Sequence, residues 1–429
     1  MISKIKEKLR NKDTKVLISN FSYLSLIEIS NYILPFLSIP YIVKVVGIEN
    51  YGIVSFVLAV VAFFNIITDF GFKLLATKYI SINRDDVNKI SKYFWTVISA
   101  QIILLIISFL ILLLLISTVD KFNQEKIVFI YAFGMVIGNI LFPIWFFQGM
   151  EQMKYISIFN VINRIFYTVL IFTTIKSMDD YIYIPLYNSL GYLLISIISL
   201  YFIRKKYNLK FVLASYQDIK QLYIDGWHLF LATLSNSLYT SMNMIILGFL
   251  TNYTVVGVLT LATTISSAAA KIIKTFSSVT FPYIAKFSND KELMISKARL
   301  LLRIYSGLLI LTCIVTFFIA DPLITMLFGE DKQESILMLQ LLSITLIFEP
   351  LGGFFTPYLV IKNQTKVVSK ITFMTMLVNF VFIIPLILLF QGLGFVATRI
   401  IVECFQVAMN VAHNKELVFK RETKTELEV

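Results

Sequence analysis

Lys271 and Lys274 stand in an apolar run on the same stripe as Thr260, Thr263, Thr264, Ser267 and Ser278, in steps of three or four residues. That spacing places them on one side of a helix. Hydroxyl and amide groups suit sugar hydroxyls, and ammonium groups suit phosphate oxygens, so this wall has the chemistry to hold a phosphate-linked sugar or another amphipathic anion. Three further stripes have similar steps: Asp225, His228, Asn236, Thr240 and Asn243; Ser25, Glu28, Asn31, Pro35 and Ser38; and Ser55, Ala59, Ala62, Asn65, Asp69 and Lys73. Facing one another, they would line a polar cavity.

Arg164, Glu349, Arg399 and Glu403 also interrupt apolar runs. A charge in hydrocarbon costs about 2.5–3.5 kcal/mol on insertion scales, so such residues should face the bundle interior or water. Plainer roles exist for some of them. Arg399 and Glu403, one turn apart, could neutralise each other, and Lys73 and Arg303 are near enough to helix ends to reach the interface. Lys271 and Lys274 have no acid within a turn on their own helix, which favours binding.

The elements that must carry these residues are membrane helices. Of 429 residues, 58% are hydrophobic and 15% charged, and apolar runs of about 20 residues match a hydrocarbon core of about 30 Å. The runs fall near 16–43, 51–80, 92–118, 126–148, 155–176, 181–203, 221–250, 254–283, 300–320, 335–361, 367–390 and 392–413, which predicts an all-α integral membrane protein of about twelve transmembrane helices. Residues 1–15 are charged, have no signal-peptide pattern, and read as a retained cytoplasmic tail.

Cations cluster in alternate connections: Lys78, Arg84, Lys89 and Lys92; Arg204, Lys205, Lys206, Lys210 and Lys220; Lys286, Lys291, Lys297 and Arg299. This asymmetry predicts both termini inside, and it accounts for the net charge of +12 without a nucleic-acid partner. Cys313 and Cys404 lie in apolar runs and His228 and His413 lie far apart, so neither a disulfide framework nor a metal site is expected. The external connections are short, which leaves no sizeable catalytic segment outside the membrane.

"NYGIV" (50–54) aligns with "NYTVV" (252–256), and "EQMK" (151–154) with "NQTK" (363–366), at an offset drifting from about 202 to 212. The chain reads as two parallel six-helix repeats, 16–203 and 221–413, joined by a cytoplasmic linker at 204–220 and followed by a tail at 414–429. Parallel repeats place a substrate site between them. Under that offset Asp69 corresponds to Lys271, and the two are expected to attract in an empty cavity and to separate when an anionic group takes the lysine. A static bridge that only supports folding is the alternative.

"VGIENYGIVSFVLAVVAFFNIITDFGF" (46–72) and "PIWFFQGMEQMKYIS" (143–157) resemble the Wzx-type polysaccharide flippases, relatives of multidrug and toxin extrusion proteins and of peptidoglycan-precursor flippases. The resemblance spans essentially the whole chain, including "MNMIILGFLTNYTVVGVLTLATTIS" (242–266) and "TPYLVIKNQTKVVSK" (356–370). It implies a V-shaped two-lobe bundle in the bacterial cytoplasmic membrane. Such a protein moves an undecaprenyl-pyrophosphate-linked oligosaccharide outward by alternating access, for O-antigen or capsule, with no catalytic residue. The cationic cavities of the family carry over to Lys271, Lys274, Arg164 and Arg399.

Asn236, Thr240 and Ser267 are expected beside those cations, and Asp69, Glu28, Asp225 and Glu349 in coupling or gating. No cofactor is expected beyond a proton or sodium gradient. The expected partners are the lipid-linked oligosaccharide, membrane lipids, a polysaccharide polymerase and a chain-length regulator. Two other readings are an ion-coupled multidrug exporter of the same superfamily, which would want an acidic cavity, and a membrane glycan polymerase or glycosyltransferase. The major-facilitator signature between the second and third helices is missing from "KLLATKYISINRDD".

Overall fold

A computed structural model describes residues 12–285, 287, 290–329, 333–362 and 364–418. Side chains are described from Leu34 onward, with exceptions that include Asn236, Thr240 and Lys274. All regular structure among the described residues is helical. The elements are α1 (Lys12–Asp69), α2 (Phe72–Ile82), α3 (Val87–Thr118), α4 (Asp120–Gln124), α5 (Lys126–Leu141), α6 (Ile144–Gly149), α7 (Met153–Thr174) and α8 (Tyr183–Tyr207). They continue with α9 (Tyr216–Thr240), α10 (Met242–Leu250), α11 (Tyr253–Ala285), α12 (Lys291–Phe328), α13 (Gln333–Ile361), α14 (Thr365–His413) and α15 (Lys415–Val418).

Among the described residues, nine helices are long and apolar enough to cross a membrane. Two of them each hold a pair of the expected segments. α1 breaks at Gly47, whose φ of +85° is left-handed, and α14 breaks at Gln391, with φ +50°. α9 is not among the nine, because Gln221, Asp225 and His228 dilute its apolar face. With α10 it makes the expected seventh segment.

The chain forms two compact units, Met1–Ser237 and Leu238–Val429. In the first, aromatic side chains fill the interior: Phe94, Trp145, Phe146, Phe147 and Phe159 are all buried. α5 and α8 approach closely, because small residues let backbones meet where lipid offers no hydrophobic drive. A Cβ on Gly138 would stand 2.6 Å from the Tyr192 Cβ, and the Ser189 hydroxyl donates to the Tyr131 carbonyl at 2.5 Å.

The first unit extends beyond the 204–220 linker into α9. Tyr223 donates its hydroxyl to the Ala100 carbonyl at 2.7 Å, Phe230 stacks on Phe70 at 4.4 Å between centroids, and Trp95 Nε1 donates to the Lys210 carbonyl. Lys92 pairs with Asp218 at 2.8 Å, and this contact holds the Asp218 carboxyl below the usual carboxylate range. These contacts explain why the boundary falls within α9 and not at the charged linker.

In the second unit Tyr305, Phe354, Phe355 and Tyr358 are buried together. The short α15 is tied down through Glu416. Its Oε1 lies 2.6 Å from Lys362 Nζ and accepts from the Tyr358 hydroxyl at 3.2 Å, and its carbonyl accepts from Arg299 at 2.6 Å.

Candidate functional site

The polar stripe that ends α1 runs into a break in the helix. The chain leaves α1 at Asp69, turns through Phe70 (φ +45°) and Gly71 (φ +76°), and starts α2 at Phe72. A Cβ on Gly71 would meet the Leu229 Cβ at 2.7 Å and the Phe230 nitrogen at 3.1 Å, so glycine is required by both conformation and space. The first N–H groups of a helix have no partner within it. Asp69 Oδ1 accepts one of them, from the Lys73 backbone, at 3.3 Å, and its negative charge suits the positive end of the α2 dipole. A carboxylate in an apolar run thus has a local task, the bridging of a broken helix.

Beside this break the first unit contains a cavity of about 210 Å³. Asn65, Asp69, Lys73, Gln101, Asn139 and Thr233 supply its polar lining, and Ile66, Phe142, Ile144 and Trp145 the apolar part. Asn139 Nδ2 donates to Asn65 Oδ1 at 3.2 Å. Thr233 spends its hydroxyl proton on its own helix, donating to the Leu229 carbonyl. Gln101 is only 5% exposed, and its Oε1 has no hydrogen-bond partner among the described residues. On the α2 side, the Thr77 hydroxyl donates to the Lys73 carbonyl at 2.8 Å and lies 3.4 Å from both the Trp145 carbonyl and Gln148 Oε1 of α6.

Asn65, Asp69 and Lys73, one of the polar stripes read from the sequence, all line this cavity, and of the residues expected to bind or gate, Asp69 is the one among them. Gln101, Asn139, Trp145 and Thr233 were not expected. The available signal was weak: Gln101 and Asn139 are single amides in otherwise apolar runs, and an intramembrane polar residue invites a functional reading by itself.

Arg164 is half-buried on α7, and Asp225 is exposed on α9, where it accepts from Gln221 Nε2 at 2.8 Å. The Glu28 side chain lies outside the described residues, as do those of Asn236, Thr240 and Lys274.

Ser267 and Lys271 belong to the second unit, both exposed and one turn apart on α11. The threonines of that stripe donate to the preceding turn: Thr260 to Val256, and Thr263 and Thr264 to Thr260. Their lone pairs remain to accept from a ligand. Arg399 on α14 pairs with Glu349 on α13 at 2.8 Å, which joins a residue expected to bind to one expected to gate. Asn243 exchanges hydrogen bonds with Asn379 at 2.8 and 2.9 Å, in a buried pair that reads as structural. Asp69 and Lys271 fall in different units.

A family model described as polysaccharide biosynthesis protein matches residues 17–288. A relative from Escherichia coli K12, named "Putative O-antigen transporter", is 28% identical over 409 residues, covering 93% of this chain and 97% of its own. Among solved structures, lipid II flippase MurJ in an inward closed conformation aligns with a TM-score of 0.71 at 14% identity, over 94% of this chain and 89% of its own. An inward-facing multidrug resistance MATE family transporter of the MOP superfamily aligns at 0.70 with 15% identity, over 93% of this chain and 99% of its own. At such identities the structural likeness establishes the fold.

Proposed function

The chain belongs to the polysaccharide biosynthesis protein family, and from that premise we propose that it flips undecaprenyl-pyrophosphate-linked oligosaccharide units outward across the bacterial cytoplasmic membrane, for O-antigen or capsule. The chain is a multi-pass membrane transporter with the MOP-superfamily fold, and not an enzyme. The observation that carries the substrate is the match to a relative named for O-antigen over 93% of the chain.

In this reading the termini are cytoplasmic and the cycle is alternating access. Lys271, Lys274, Arg164 and Arg399 attract the pyrophosphate, while Asn236, Thr240 and Ser267 meet sugar hydroxyls. Arg399 reaches the phosphate by exchanging its Glu349 partner. Asp69, Glu28, Asp225 and Glu349 couple the cycle to a proton or sodium gradient. A polymerase and a chain-length regulator receive the flipped unit.

Deleting the gene tests the reading. Surface polysaccharide should disappear, lipid-linked repeat units should accumulate facing the cytoplasm, and drug sensitivity should not change. Complementation by Lys271→Ala should restore less than a tenth of the surface glycan at equal membrane abundance. Persistent surface glycan together with reduced dye efflux would establish the exporter instead.

A further inference from the structure

We propose that the cavity of the first unit is a saccharide-binding subsite that takes one pyranose ring through the ring's hydroxyl donors. The inference rests on the reading of the chain as a lipid-linked oligosaccharide flippase, and it assigns the sugar, not the phosphate, to this place.

The lining offers several acceptors alongside the donors of Asn65, Lys73 and Gln101, the mixture that ring hydroxyls can meet. Gln101 Oε1 is buried and has no hydrogen-bond partner among the described residues. Asp69 has one oxygen engaged, at 3.3 Å, by the Lys73 N–H, and a carboxylate offers about four lone-pair positions. Asn139 uses its amino group on Asn65, and its own carbonyl oxygen adds further accepting capacity. A ligand that completes this set must bring several O–H or N–H groups at close spacing, as vicinal ring hydroxyls do. Phosphate brings only acceptors and negative charge. It would meet the Asp69 carboxylate and the Gln101 carbonyl here, with Lys73 the single cation among the lining residues.

Size separates a sugar from an ion. At about 30 Å³ per water, a cavity of about 210 Å³ has the room of about seven waters. That is far more than a bare monovalent cation occupies and comparable with one pyranose ring. Ile66, Phe142, Ile144 and the edge of the buried Trp145 make up the apolar part of the lining, the usual combination of apolar wall and few polar groups in a small-molecule pocket.

Gln101 supports the same conclusion. A buried acceptor without a donor destabilises the fold, so its presence beside a cavity fits a group completed by a ligand. A purely structural glutamine should lower stability when removed. A ligand-completing one should not.

The test uses the purified full-length protein and a panel of methyl pyranosides, a hexoside, an N-acetylhexosaminide and a 6-deoxyhexoside, observed by saturation-transfer NMR. At least one should bind to the wild type with millimolar affinity. Gln101→Leu should weaken it at least tenfold while the melting temperature stays equal or rises. If Gln101→Leu reduces folded protein, the near-isosteric Gln101→Met replaces it in the same comparison. In cells at equal abundance, Gln101→Leu should export at least tenfold less surface glycan.

The subsite is overturned if no pyranoside binds or if binding survives in the glutamine variants. In those cases a gene deletion that still abolishes surface glycan leaves the flippase reading standing. A deletion that preserves surface glycan overturns that reading by itself, and with it the subsite.

Discussion

Each unit faces two asparagines against each other across neighbouring helices, and the two pairs are finished differently. In the second unit Asn243 and Asn379 exchange two hydrogen bonds, at 2.8 and 2.9 Å, and both side chains are buried. In the first, Asn139 gives Asn65 one longer bond, 3.2 Å, and both line a cavity with Gln101 and Asp69. Within a bilayer a polar group cannot turn to water, so it must be satisfied by the protein or line a cavity. The reciprocal pair is a closed structural joint, while the open pair keeps capacity for a ligand.

The largest effect should come from breaking the closed pair on one side. Asn379→Leu strands the Asn243 amide in a dry interior and should destabilise the protein by about 1–3 kcal/mol. Replacing both asparagines with leucine should recover much of that loss, giving a coupling energy of about 0.5–3 kcal/mol in a double-mutant cycle. Unfolding of the purified protein measures all three variants. Additive losses would mean that the two amides do not act as a unit.

The corresponding change in the open pair should move a different quantity. Asn139→Leu removes one hydrogen bond beside a cavity large enough for water, so its stability cost should stay near the ordinary net value of about 1 kcal/mol or below. Export of surface glycan should fall at least fivefold at equal abundance. A melting temperature as low as that of Asn379→Leu, with normal export per folded molecule, would erase the contrast between the units.

Much of this architecture was legible in the sequence, and the reasons are physical. Hydropathy placed the helices because a segment crossing hydrocarbon must be apolar over about 20 residues, whatever its neighbours. The turns at Gly47 and Gln391 lie between the expected segments for the same reason. The stripe found Asn65 and Asp69 on one wall of the cavity, because helical periodicity reports which residues share a face, whereas Lys73 reaches the same cavity from α2, past the break at Phe70 and Gly71. It could not find Gln101, Asn139 or Trp145, each contributed by a different segment and brought in only by packing.

The unit boundary inside α9 was hidden likewise. The charged linker at 204–220 marks a change in solvent exposure, whereas the contacts of Tyr223 and Phe230 decide which unit α9 joins. Gly71 did carry a local signal, since an isolated glycine in a helical pattern often marks a close backbone approach or an end. Phe70, with a positive φ unusual for a phenylalanine, carried none.

The smallest stability effect, and the sharpest division between fold and ligand, belongs to Asp69. In the bridge to α2 the residue needs only an oxygen that can accept the Lys73 N–H. Asparagine keeps such an oxygen, whereas alanine loses the hydrogen bond, at an ordinary net cost of about 1 kcal/mol. Asp69→Asn should therefore unfold within a few tenths of a kcal/mol of the wild type, and Asp69→Ala should be measurably weaker. The same asparagine removes the negative charge and one of the strong acceptors of the cavity, so pyranoside affinity and glycan export should both decline while the fold holds. If the asparagine variant exports normally and only the alanine variant is impaired, the carboxylate serves the helix break alone. The acceptor set of the first unit would then reduce to its amides.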